Sequence, residues 1–246
     1  MTKFFTNNFI STNLYKKNSS NSEIVSQMIY GDAFSVINKT SNLWKIKIKE
    51  DGYIGYVEKK KYISYVKPTH KICTLSANFF ANPIKGRIVG KLTYGSKIKL
   101  EKKKLNLVKF QNKWIEKKNL KPLNYKYSNI FFKINNFKNV KYKWGGKTFN
   151  GIDCSALVQI FFNFNNKFLP RDTREQIKFL KKNIKLKNIK KNDIIYWKGH
   201  VAVALSKTKL IHAYGPVKKT IIMNIKTAKK LIKKTAKLKI ISIKRL

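Results

Sequence analysis

Acidic residues are scarce. Eleven Asp and Glu stand against 55 Lys and Arg in 246 residues, a formal charge of +44 at pH 7. Arginine is scarce too, since Arg87, Arg171, Arg174 and Arg245 are the only ones and the remaining cations are lysines. Lys, Asn and Ile share A- and T-rich codons, so codon drift explains the excess as well as a polyanionic partner does. A basic surface argues for nucleic acid only when it is clustered, and the runs Lys59-Lys60-Lys61 and Lys102-Lys103-Lys104 read as solvated faces, so no specific nucleic-acid partner is expected. Two cysteines, Cys73 and Cys154, allow at most one disulfide. No uncharged apolar run reaches the roughly 18 residues of a membrane span. The first residues carry neither the apolar core nor the small-residue cleavage site of a signal peptide. A cytoplasmic location is therefore expected, with a periplasmic one, or export by a route without a classical signal, as the alternative.

What is present is enough for packed cores, at 43% hydrophobic and 13% aromatic residues. From Ser22 to Val66 short apolar runs alternate with turns. Trp44, Ile46 and Ile48 interleave with Lys45, Lys47 and Lys49, and Gly31-Asp32 and Asp51-Gly52 punctuate the runs, as in a small barrel. Pro68 marks a boundary, and Tyr94-Gly95-Ser96 then repeats the place of Tyr30-Gly31-Asp32, so a second copy of the barrel is expected up to Pro122. These limits give domains at 1–66, 67–123 and 124–246.

In the third domain, glycines crowd Trp144-Gly145-Gly146 and Gly151, and apolar residues then recur at Leu157, Phe161 and Phe164 with helical spacing. Cys154 therefore opens a helix, where free N–H groups and the helix dipole favour thiolate and can receive an oxyanion. Asp172 is placed to cap a helix running from Thr173 through Leu180, with Glu175 completing a capping box. Strands are expected at 193–197, 200–205 and 210–214, a basic helix near Thr227 to Thr235, and a last strand from Leu238 to Ile243. A helix followed by antiparallel strands is an α+β layout.

Of the three histidines, His200 and His212 fall in neighbouring strands. With Ser206-Lys207-Thr208 as the turn, Ala204 faces Leu210 and His200 faces Tyr214, which puts both imidazoles on one face of the sheet. One can take the Cys154 proton while the other orients it, the logic of a thiol hydrolase. Zinc ligation by Cys154, His200 and His212 is the alternative, but no fourth ligand stands nearby in sequence, so neither a metal nor a cofactor is expected.

The motifs Trp144-Gly145-Gly146, Gly151-Ile152-Asp153-Cys154-Ser155, Pro170-Arg171-Asp172 with Gln176, Asp193-Ile194-Ile195-Tyr196-Trp197, Gly199-His200-Val201 and Ile211-His212-Ala213 closely resemble the NlpC/p60 family of papain-like cysteine peptidases. The first two domains resemble bacterial Src-homology-3-like domains, with Asp51-Gly52-Tyr53-Ile54-Gly55-Tyr56-Val57 close to their signature. One departure is Ala156, where the family usually has Gly. The resemblance implies a papain-like domain behind two all-β barrels, with Cys154 as nucleophile, His200 as base and His212 as the residue that orients it. It implies Asp153 and Ser155 as contacts to the free amino end of the substrate, aided by Tyr53. Arg171 and Asp172 fix the neighbouring helix end and are further candidates for substrate contact. The implied reaction is hydrolysis of the γ-D-glutamyl to diamino-acid bond of murein peptides, in wall-peptide turnover, by a monomer. Two other readings stay open: a wall- or polyanion-binding protein with an inactive papain-like half, and an amidase or acyltransferase on the same scaffold.

Overall fold

The computed structural model describes residues 2–40, 42–84 and 86–246. It divides into two compact units, Met1–Tyr125 with Lys147–Phe149, and Lys126–Gly146 with Asn150–Leu246.

The first unit begins with β1 (Phe4–Thr6), β2 (Ser11–Tyr15), β3 (Ile24–Ile29), β4 (Ala33–Lys39), β5 (Leu43–Ile48), β6 (Ile54–Glu58) and β7 (Ile63–Ser64). They form one antiparallel sheet in the order β3-β2-β6-β5-β4-β1-β7. The expected alternation holds in β5, where Ile46 and Ile48 are buried and Lys47 is exposed. Leu14, Met28, Phe34 and Val57 complete that core. Sequence reading started the strands at Ser22, yet the barrel starts at Phe4. The polar Ser11-Thr12-Asn13 stretch hides β2, whose pairing with β3 and β6 comes from the fold rather than from local pattern.

The second barrel comprises β8 (His70–Ile72), β9 (Ser76–Phe80), β10 (Ile88–Thr93), β11 (Lys97–Ile98), β12 (Lys103–Lys104), β13 (Leu107–Phe110), β14 (Lys113–Glu116) and β15 (Leu120–Pro122). They make two sheets, β10-β9-β14-β13-β12 and β11-β8-β15. Tyr30 of the first barrel sits in the second barrel's core, edge-on to Phe110 at 5.8 Å. The Lys97 N–H donates to Tyr30 O at 2.9 Å. A side chain on Gly31, at φ +87°, would meet Lys97 O at 2.1 Å, so this turn requires glycine both for its dihedral and for the approach of the second barrel. The buried Lys97 ammonium answers Asp32 at 3.4 Å and Glu50. A later piece of chain containing β16 (Lys147–Thr148) joins this unit, with Lys147 N–H donating to Gln27 Oε1 at 3.0 Å and Phe149 N–H to Thr93 Oγ1 at 3.1 Å.

The second unit holds β17 (Gly151–Ile152), α1 (Cys154–Phe164), α2 (Thr173–Phe179), β18 (Lys182–Asn183), β19 (Ile194–Trp197), β20 (His200–Ala204), β21 (Lys209–Tyr214), β22 (Lys219–Asn224), α3 (Ile225–Ala236) and β23 (Ile240–Arg245). Six strands form one antiparallel sheet in the order β18-β23-β19-β20-β21-β22. Strand β22 was not foreseen, since Ile221-Ile222-Met223 shows no alternation and is read only through its pairing with β21. The α1 helix is buried on almost every side, with Asn163 alone half-exposed. Phe131 and Phe137 pack on Phe161 at 5.9 and 5.5 Å, and Tyr127 stacks on Phe164 at 5.4 Å. Asn165 ends the helix and fastens that cover, accepting from Tyr127 N–H at 2.7 Å and donating to Ile130 O at 3.2 Å. Helix α3 seals the opposite side through Ile225, Ala228 and Ile232. Among the described residues no helix is long and apolar enough to cross a membrane.

Candidate active site

Gly145 turns the chain at φ +71°, and after β17 Asp153 lies extended at the N-cap with Cys154 as the first residue of α1. Asp153 Oδ1 accepts from Ala156 N–H at 2.8 Å, which satisfies one of the free amides of the first turn. Ala156, at the family's glycine position, is fully buried and keeps this cap.

Asp153 also meets Arg171 in a two-pronged pair, Nη1 to Oδ1 at 3.1 Å and Nη2 to Oδ2 at 2.5 Å. Arg171 Nη1 donates to Ser155 Oγ at 2.8 Å, and Ser155 Oγ donates to Asp153 Oδ1 at 3.1 Å. All three residues are buried, with Arg171 only 2% exposed. The loop that carries Arg171 is held by Gln176, which is fully buried. Its Nε2 donates to Ser155 O at 3.1 Å and Pro170 O at 2.9 Å, while Tyr196 OH reaches its Oε1 at 3.4 Å.

The strand register follows the expectation. Ala204 pairs with Leu210 and Val203 with Ile211, and this brings His200 Nε2 to 2.9 Å from His212 Nδ1. Tyr214 lies against both rings, stacked on His212 at 5.1 Å and 5.0 Å from His200. Burial lowers His200 well below the usual imidazole range, with His212 adding to the effect, and burial alone brings His212 to about 4. Both rings are neutral at pH 7.

The thiol lies at the mouth of β20, where the N–H of Val201, next to His200, donates to Cys154. The sequence expectation of a thiolate is corrected here. Burial pushes the Cys154 thiol up to about 12 and the Asp153 carboxylate adds to the rise. Hydrogen bonds from Val201 and Ser155 and the charge of Arg171 pull the other way without overcoming it. In this buried setting desolvation outweighs the helix terminus.

Asp172 stands at the N-cap of α2, exposed, and makes no side-chain cap there. The expected capping box does not form, because Glu175 turns towards Arg174 and Lys178, both at 3.8 Å, and the Asp172 carbonyl receives the N–H groups of Glu175 and Gln176. Tyr53 belongs to the first unit. Its N–H donates to Asp51 Oδ1 at 3.0 Å and its ring packs on the first barrel's core. The structure thus gathers Asp153, Cys154, Ser155, Arg171, His200 and His212 within the second unit.

Sequence reading missed Tyr142. It forms an isolated parallel bridge with Ile152, its ring lies against Gly215, and burial raises its hydroxyl while Cys154, Asp153 and Arg171 act on it through their charges. A neutral phenol can donate a hydrogen bond to developing negative charge, and its electrostatic coupling to Cys154 makes Tyr142 a candidate for that part. Its signal in the sequence was faint, one tyrosine in the lysine-rich run Lys141-Tyr142-Lys143. Among the described residues no three His, Cys, Asp or Glu side chains are grouped to hold a metal ion.

A thiol at a helix N-terminus, set against an antiparallel sheet that carries a histidine pair, defines a papain-like fold behind an all-β, Src-homology-3-like region. Residues 139–237 match the NlpC/P60 family and residues 14–61 the bacterial dipeptidyl-peptidase Sh3 domain, so the chain carries an NlpC/P60 domain preceded by that barrel type. It is 24% identical over 229 residues to dipeptidyl-peptidase 6 of Lysinibacillus sphaericus, covering 82% of this chain and 84% of that protein. It is 32% identical over 94 residues to murein DD-endopeptidase MepS/murein LD-carboxypeptidase of Escherichia coli K12, covering 35% of this chain and 48% of that protein. The crystal structure of an NlpC/P60 family protein from Bacillus cereus ATCC 10987 has the same fold, with a TM-score of 0.84 at 15% identity over 98% of this chain and 99% of that one.

Proposed function

We propose that the protein is a cysteine peptidase that hydrolyses the γ-D-glutamyl to diamino-acid bond of murein peptides bearing a free N-terminal L-Ala, in wall-peptide turnover. The observation that carries this reading is the bond of 2.9 Å between His200 Nε2 and His212 Nδ1, on strands beside the Cys154 thiol. In the productive tautomer the His200 Nε2–H donates to His212 Nδ1, so the Nδ1 lone pair of His200 is open to the thiol proton. His200 takes that proton as sulfur attacks the scissile carbonyl. Negative charge gathers on the carbonyl oxygen, for which the amides of the first turn of α1 and the Tyr142 hydroxyl are the available donors. His200 then returns the proton to the leaving amine, a water attacks the thioester with His200 again as base, and the thiol is regenerated. The name of the Lysinibacillus relative, a dipeptidyl-peptidase, supports release of a dipeptide from a free amino end.

Asp153 is the anion for the substrate ammonium, with Ser155 as a further contact. A charge-assisted contact contributes about 1.5–3 kcal/mol, and Arg171 already offsets much of the charge on Asp153, so the lower end applies. On L-Ala-γ-D-Glu-diaminopimelate, mass spectrometry should find L-Ala-D-Glu released, with kcat/KM about tenfold lower after acetylation of the amine and no product from Cys154→Ala. Cleavage at another bond, or equal rates on free and acetylated peptides, would refute the assignment.

A further inference from the structure

His212 is fastened by hydrogen bonding at one end only. Its Nδ1 meets His200 Nε2 at 2.9 Å, whereas its Nε2 is buried and has no hydrogen-bond partner among the described residues. The last side-chain torsion of a histidine is broad and roughly two-fold. A ring turned over would bring Cδ2 to His200 in place of Nδ1, and the bond that orients the base would be lost. Packing must therefore keep the ring in place.

Tyr214 supplies that packing. Strand alternation sets it two residues beyond His212 on the same face of β21, and its ring lies nearly parallel to the imidazole, with 14° between the planes and 5.1 Å between the centroids. It also stands 5.0 Å from His200. Tyr214 is buried in one apolar cluster with Ala228 and Ile232 of α3, and its hydroxyl is 2.5 Å from Thr235 Oγ1. Thr235 donates its own proton to Leu231 O at 2.8 Å, one helical turn back, so in this pair Tyr214 is the donor. A continuous line of contacts runs from α3 through Thr235, Tyr214 and His212 to His200.

We infer that Tyr214 is a positioning residue for the histidine pair: anchored to α3 through Thr235, its ring holds His212 in the one orientation and tautomer that leaves His200 free to accept a proton. Its effect on turnover rests on the peptidase reading above, whereas the state of the rings can be read without substrate.

The test uses the full chain with His70→Gln as background, so that the pair supplies the only imidazole signals. Proton–nitrogen correlation spectra of ring-labelled protein at neutral pH should show His212 protonated at Nε2 alone in the parent. Tyr214→Phe, which keeps the stack, should show the same, and Tyr214→Leu a mixture of tautomers. With the murein tripeptide, Tyr214→Leu should lower kcat about tenfold or more and leave KM within about twofold, since the loss falls on the chemical step. Tyr214→Phe and Thr235→Val remove the same anchoring bond, so each should lower kcat about threefold and the double variant no further. Thermal melts correct these rates for the folded fraction. A single His212 tautomer in Tyr214→Leu, or losses that multiply in the double variant, would overturn the inference. Where Tyr214→Leu does not fold, unchanged kcat in both Tyr214→Phe and Thr235→Val is the refuting result. A parent that leaves the tripeptide intact would sink the reaction assignment instead, and the ring spectra would still decide the role of Tyr214.

Discussion

Iodoacetamide reacts with thiolate and not with thiol, so its rate with Cys154 measures how the resting site divides one proton. With the thiol at about 12, some 10⁻⁵ of it is ionised at pH 7, against about 3% for an unperturbed cysteine, a ratio near 3,000. A more basic thiolate is also a better nucleophile, and a Brønsted slope of about 0.4–0.5 over that interval returns roughly 25- to 55-fold. Cys154 should therefore alkylate about a hundredfold more slowly than a free thiol, before its burial is counted. The rate should climb about tenfold per pH unit from roughly pH 6 to 9 without a plateau. His200 is neutral in the resting site, so His200→Ala should leave alkylation within about twofold while it abolishes turnover. The assay is mass spectrometry of the Cys73→Ser protein, in which Cys154 is the single thiol. A flat rate between about pH 5 and 8 that collapses in His200→Ala would refute the reasoning. It would show a resting thiolate–imidazolium pair.

Arg171→Leu leaves the Asp153 carboxylate buried without its cation, and breaking a buried pair from one side costs about 3–5 kcal/mol. Urea unfolding should register that loss, and adding Asp153→Asn should recover part of it, because the orphaned charge is gone. The histidine pair makes stability fall on acidification. His212 binds its proton at about 4 when folded and near 6.5 when unfolded, so stability is complete above about pH 6.5 and declines as pH drops towards 4, by up to about 3 kcal/mol. His212→Asn should flatten that slope in melts taken across the range.

The chain by itself determined most of the candidate site. The glycine-rich approach to Asp153-Cys154-Ser155 can only end in a turn and a helix start, and the spacing of His200 and His212 about one tight turn fixes both rings on one face, because side chains in a strand alternate. The interleaved Trp44, Ile46 and Ile48 likewise announced a barrel strand. What depends on groups far apart in sequence was left to the tertiary structure. The proton balance of Cys154 belongs to this class, since a local dipole argues for thiolate and only burial under the sheet shows that desolvation prevails. So does the role of Arg171, which stands 16 residues beyond Ser155 and meets the helix cap only because Gln176 holds its loop in place. Strands β2 and β22 exist because neighbours pair with them, and Tyr142 gains its position from a bridge to Ile152 and contact with Gly215. Local pattern records which way a side chain points, whereas pairing partners and desolvation arise only when distant segments are packed together.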